Sequence, residues 1–232
     1  MTVGWNELLP GVLWECEVDG HVSGFPLRST AVALSDGSLC VMSPTRAIDP
    51  ASPTSLGREV RVLFAPNHFH YLGVPTWKVA HPDAHVVAGD VAKKRLEGKL
   101  SPLALGEAAM LRERLPASIT WLEPEGTRNG EVWLEISHGD QIAWLVCDAF
   151  FNVPASPKGF MGWALRAIET VPGLKLGTTW KYLALADRGR YKGWLLERLA
   201  TKPPTMLVFS HGDTLVDEQL GQRLASIVEE RL

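Results

Sequence analysis

Three short apolar runs set what this chain can fold into: "RVLFAP" (61–66), "IAWLVC" (142–147) and "MLVFS" (206–210). Each is long enough for a buried strand, too short for a core helix, and bounded by charged residues, proline or glycine. The elements between them alternate. "GVLWECEVDG" reads as a strand, and "LRSTAVALSDGSLCVMSP" as a hairpin closed by the turn "SDGS". After a loop rich in Pro and Ser (44–56), "YLGVPTWKVAHP" predicts a short helix broken around Pro75. "AHVVAG" is a further strand, and "DVAKKRLEGK" a helix with Asp90 as its N-cap. "SITWLEP" and "EVWLEI" are strands separated by a loop with the hairpin-type pair Asn129-Gly130, and the turn "SHGD" leads into "QIAWLVCDAFF". "PKGFMGWALRAIETVPG", "DRGRYKGWLLERLATK" and "LVDEQLGQRLASIVEERL" read as helices. This order, β then α then β then α, predicts a mixed α/β chain.

Composition narrows the partners. With 46% hydrophobic and 21% charged residues over 232 positions, a single domain spanning 1–232 can bury a sizeable core. A net charge of −3 comes without the clustered Lys and Arg that nucleic acid requires, so the expected partner is a small-molecule substrate or another protein. No stretch reaches the ~20 apolar residues of a membrane helix. The N-terminus has neither the basic start nor the apolar core of a secretory signal, so a cytoplasmic location is expected. Cys16, Cys40 and Cys147 are widely spaced in apolar segments without a CxxC pair, as expected of buried thiols in a reducing compartment. The nine Trp fall largely at core spacing.

The three apolar runs share a second property: each ends in residues able to bind a metal. The first leads into Asn67, His68 and His70, the second into Asp148, and the third into His211 and Asp213. Function in α/β architectures gathers at such ends, because a rigid strand fixes the backbone while the following loop aims side chains into a cleft. Imidazole and carboxylate suit Zn²⁺ or Fe, and two or three histidines with Asp148 suffice for one ion. Each residue also has an ordinary reading. A His-x-His pair occurs by chance where a strand meets solvent, Asp148 can cap a turn, and His211 before glycine can be a turn residue. His138, in a hairpin tip, and His81 and His85, in a loop and at a strand start, read as surface histidines. There is no G-x-S-x-G, P-loop or G-x-G-x-x-G.

The layout resembles the metallo-β-lactamase fold, through "LRSTAVALSDGSLCVMSPT", "LFAPNHFHYLGVP", "EVWLEISHGDQIAWLVCDAFFN" and "LVFSHGD", in that order from Leu13 to His211. The resemblance implies a four-layer αββα sandwich with a metal site at one edge. It matches Asp148 to the family's metal-bridging and catalytic aspartate and His211 to its last metal-binding histidine. His138 stands in the region of the family's middle histidine. The H-x-H-x-D-H motif is degenerate: His68 and His70 fit, Leu72 replaces the aspartate and Gly73 the third histidine. The implied activity is metal-dependent hydrolysis of an ester, thioester or similar bond, with at most one Zn²⁺ or Fe ion on His68, His70, Asp148 and His211. The alternative is a metal-free binding or scaffold protein in which Asn67, Asp148 and His211 form a hydrogen-bond network. "PKGFMGWALRAI" is either core or the surface of a lid or homodimer.

Overall fold

A computed structural model describes residues 4–19, 26–154, 163, 166 and 172–232. The chain divides into two compact units, one of residues 1–20 and 27–117, the other of residues 21–26 and 118–232.

The first unit is built on a seven-stranded sheet whose spatial order follows the sequence. Its strands are β1 (Asn6–Leu9), β2 (Leu13–Asp19), β3 (Pro26–Ala33), β4 (Leu39–Met42), β5 (Val60–Ala65), β6 (His85–Ala88) and β7 (Leu105–Gly106). β3 and β4 form the expected antiparallel hairpin, whereas β4 through β7 run parallel. Parallel neighbours need crossovers: the connection with a 3-10 turn at Ser52–Leu56 joins β4 to β5, α1 (Val74–Ala80) joins β5 to β6, and α2 (Asp90–Leu100) joins β6 to β7. A third helix, α3 (Ala108–Arg112), follows β7. β5 is buried along nearly its whole length, as its continuous apolar run requires. Leu63, Val41, Trp14 and Trp77 share one cluster; Ala65, Val86, Ala92, Leu96 and Leu100 share another.

Two helix starts differ from the sequence reading. Pro75 opens α1 rather than breaking it, because the first turn has no use for the N–H that proline lacks. Gly89, with extended backbone, is the N-cap of α2, and Asp90 is its first helical residue. Its carboxylate caps nothing but still sits favourably at the positive end of the helix dipole.

The second unit carries a five-stranded sheet in the order β14-β13-β10-β9-β8. These are β8 (Ile119–Leu122), β9 (Trp133–His138), β10 (Gln141–Leu145), β13 (Met206–Val208) and β14 (Leu215–Val216). A separate antiparallel pair joins β11 (Phe150–Val153) and β12 (Gly173–Leu176). Three helices follow: α4 (Thr178–Leu183), α5 (Arg188–Thr201) and α6 (Leu220–Arg231). Asp187 caps α5 by accepting from the Arg190 N–H at 3.0 Å. The core is aromatic: Trp133 lies 5.8 Å from Trp144 and 5.4 Å edge-on from Trp194, and Trp180 lies 4.9 Å from Tyr191.

Asn129-Gly130 lies in the expected loop between β8 and β9. Leu122 pairs with Trp133, so the whole of 123–132 connects the strands, and Asn129 is buried. Leu215–Val216 adds an edge strand to β13 instead of starting the last helix, which begins at Leu220. The helix expected over 157–173 lies outside the described residues except for Trp163, Arg166, Pro172 and Gly173. The expected fold class is the one observed, a mixed α/β chain with several sheets. Among the described residues no helix is long and apolar enough to cross a membrane.

Glu135 ties β9 to α5. Its buried carboxylate accepts from Trp144 Nε1 (3.0 Å), Arg198 Nη2 (2.7 Å) and Lys202 Nζ (2.7 Å). Burial opposes its ionisation, but the Lys202 and Arg198 bonds outweigh that and hold its pKa below the usual value. A depressed folded pKa contributes stability that is present above the unfolded pKa and lost as pH falls through the folded one. Glu135→Gln should therefore cost about 1–3 kcal/mol at neutral pH in urea unfolding. The gap from wild type should close as pH drops below about 4. A gap that does not change with pH would contradict this role.

Candidate metal centre

Parallel pairing builds the candidate site in the second unit. Leu145 pairs with Val208, and the ladder continues with the Val146 N–H donating to the Val208 carbonyl at 2.9 Å. Counting on in that register sets Cys147 beside Ser210 and Asp148 beside His211. The side chains agree: the Ser210 hydroxyl donates to Cys147 Sγ at 3.4 Å, and His211 Nε2 lies 3.5 Å from Asp148 Oδ1. Cys147 Sγ and an Asp148 carboxylate oxygen lie within 4.8 Å of each other. Two strand ends that the sequence marks independently are thus neighbours.

The imidazole of His211 is oriented from two sides. Its Nδ1 donates to the Pro26 carbonyl at 3.1 Å, since a carbonyl can only accept, and this turns Nε2 toward Asp148. Phe151 stacks on the ring at 5.6 Å and 22°. The backbone is held as well: the Asp213 N–H donates to the Asn152 carbonyl at 2.8 Å, and the Asn152 side chain donates to the Asp213 carbonyl at 2.8 Å. This close approach needs Gly212, where φ is +99° and a Cβ would lie 2.1 Å from the Asn152 oxygen.

The separation of 3.5 Å is longer than an ordinary hydrogen bond. It suits two ligands of one ion: metal bonds of about 2.0–2.2 Å in tetrahedral geometry place donor atoms about 3.3–3.6 Å apart. It also suits an ion pair in which the imidazole carries both protons. The donor set of carboxylate and imidazole, with a thiol beside it, fits zinc or iron.

In the first unit, Asn67 Oδ1 accepts from the backbone N–H groups of Phe69 (2.8 Å) and His70 (3.1 Å) and shapes the turn after β5. His68 is buried, with Nε2 3.3 Å from Arg95 Nη1; guanidinium only donates, so Nε2 accepts. His70 is half-buried. At Gly73, which the resemblance aligns with a third histidine, a Cβ would lie 2.1 Å from the Pro44 carbonyl oxygen. Leu72 is half-exposed, and its carbonyl accepts from Arg46 Nε at 2.6 Å. His138 ends β9 at the hairpin with β10. All three cysteines are buried thiols, and burial, aided by the Glu15 charge, pushes Cys16 up to about 11.

One residue that the sequence reading passed over stands beside this site. Glu131, in the connection before β9, is 1% exposed and accepts from Trp133 Nε1 (2.8 Å), Trp180 Nε1 (2.7 Å), Asn129 Nδ2 (3.1 Å) and the Ala149 N–H (3.2 Å). Burial and the nearby Asp148 charge push its pKa up, against the pull of the side-chain donors. Its signal in the sequence was only a charge at the head of an apolar strand.

No protein-family model matches the sequence, and no curated protein does. Solved structures do. A metallo-β-lactamase from Erythrobacter litoralis, with β-mercaptoethanol in its active site, aligns over 99% of this chain and 97% of its own at 14% identity and a TM-score of 0.63. One from Hirschia baltica aligns over 98% of each chain at 12% identity and a TM-score of 0.62. The chain has the metallo-β-lactamase fold. The mono-zinc form of the metallo-β-lactamase FIM-1 from Pseudomonas aeruginosa aligns over 99% of this chain and 96% of its own, at 12% identity and a TM-score of 0.63.

Close backbone contact at Gly212 makes a graded prediction. Gly212→Ala should cost about 1–3 kcal/mol from backbone strain plus the clash with Asn152. Gly139→Ala, at φ +57° with nothing within 4 Å, should show strain alone. Equal costs in denaturant unfolding would contradict the clash.

Proposed function

We propose that the protein is a metal-dependent hydrolase holding a single ion, Zn²⁺ or Fe, and acting on a small-molecule ester or thioester in the cytoplasm. The observation that carries this is the Asp148–His211 pair, a carboxylate oxygen and an oriented imidazole nitrogen 3.5 Å apart at the ends of adjacent parallel strands. His70 joins the ligand set on the order of the motifs along the chain. His68, whose Nε2 accepts from Arg95, would contribute through Nδ1. A bound ion would supply Lewis acidity and a water acidified toward a pKa of ~7. The Pro26 carbonyl keeps the His211 ring in register, and Asp148 would take the proton released as water adds to the acyl carbon and return it to the departing alcohol oxygen or thiol sulfur as the acyl C–O or C–S bond breaks.

One ion rather than two is supported by Gly73, which has no room for a side chain, and by Leu72 in place of an acid. A single-metal form is known for this fold, in the mono-zinc FIM-1 structure. Buried thiols suit a reducing compartment.

The second reading is a metal-free scaffold in which Asp148 and His211 form an ion pair, which the same distance also allows. Metal analysis separates the two. Protein purified without chelator or affinity-tag nickel should carry close to one equivalent, and His211→Ala, Asp148→Ala and His70→Ala should each release it. Less than about one-tenth equivalent, unchanged by supplementation, would leave the scaffold reading standing. Retention of metal by His211→Ala would mean other ligands hold it.

A further inference from the structure

A buried carboxylate whose hydrogen-bond partners are all N–H groups is an unusual thing to keep in an aromatic core. Glu131 Oε1 accepts from Trp133 Nε1 and the Ala149 N–H; Oε2 accepts from Trp180 Nε1 and Asn129 Nδ2. Each oxygen of this side chain accepts from two N–H donors, within the acceptor capacity of a carboxylate. Asn129 is oriented in turn, because its Oδ1 accepts from the Glu131 N–H at 3.2 Å.

What this carboxylate holds is the residue after Asp148. The Ala149 N–H, part of the peptide that joins it to Asp148, is bound by Glu131 at 3.2 Å. The Ala149 carbonyl accepts from the Gly177 N–H at 2.9 Å, and a Cβ on Gly177 would come within 2.8 Å of the Asp148 carbonyl oxygen. The backbone leaving Asp148 is therefore pinned on both sides. Packing alone does not call for a charge here, since an apolar side chain of similar volume fills such space at lower desolvation cost.

We propose that Glu131 is a positioning residue: through the Ala149 N–H it sets the direction of the Asp148 carboxylate toward His211 and so sets the affinity of the site for its metal. The inference rests on the metal reading of that site. Partners that orient metal ligands typically control affinity about 10–100-fold.

Cobalt(II) titration of the full chain, followed by visible absorption, tests it. Glu131→Gln keeps the size of the side chain but turns one acceptor oxygen into a donor. It should weaken cobalt binding about 10–100-fold and alter the absorption bands, with the far-UV circular dichroism unchanged. If that variant fails to fold, Glu131→Met combined with Trp180→Phe removes the acceptor and one of its donors together, and should weaken binding in the same way. A folded variant of either kind with the wild-type Kd and spectrum would overturn the role. So would rapid hydrogen exchange at the Ala149 amide of the wild-type protein. A wild-type chain that takes up no cobalt would instead overturn the metal reading itself, and this inference with it.

Discussion

The candidate site depends on one buried hydrogen-bonded group, the Glu131 carboxylate. It joins the connection before β9, the indole of Trp133 on β9, the indole of Trp180 on α4 and the backbone just past Asp148. A carboxylate moved from water into an apolar core is costly unless its oxygens are satisfied, and here four N–H donors satisfy them. The aromatic cluster around it does more than fill volume. Two of its tryptophans present their only polar atom to this acid, so core packing and loop placement are coupled in one network.

The second constraint is the parallel register of β10 and β13. A ladder that pairs Leu145 with Val208 fixes which residues face each other three positions later, and those are Asp148 and His211. Parallel strands leave the sheet in the same direction, so both loops deliver side chains at one end. Gly212 then lets the His-Gly-Asp turn approach Asn152 so closely that no side chain fits. The juxtaposition of Asp148 and His211 thus follows from backbone pairing before any side chain chooses a rotamer.

Much of this was legible in the sequence, for physical reasons. "RVLFAP", "IAWLVC" and "MLVFS" declare themselves as buried strands because proline, glycine and charge stop them on either side. The residues at their ends stood out for the same reason. That β10 and β13 are neighbours was not legible, since pairing of strands about sixty residues apart is decided by tertiary packing. Pro75 and Asp90 misled by one or two positions because both favour the first turn of a helix as well as its boundary. Asn129-Gly130 marked a loop, but not that Asn129 is spent on Glu131 within it. Glu131 was missed because a single charge ahead of an apolar run looks solvated, and only the fold reveals four donors converging on it.

The most direct measurement is the location of a bound ion. Crystals grown with zinc and measured at the zinc absorption edge should show one anomalous peak bridging Asp148 and His211 Nε2, at about 2 Å from each. A peak elsewhere in the molecule, or none at this pair with its side chains ordered, would contradict the account.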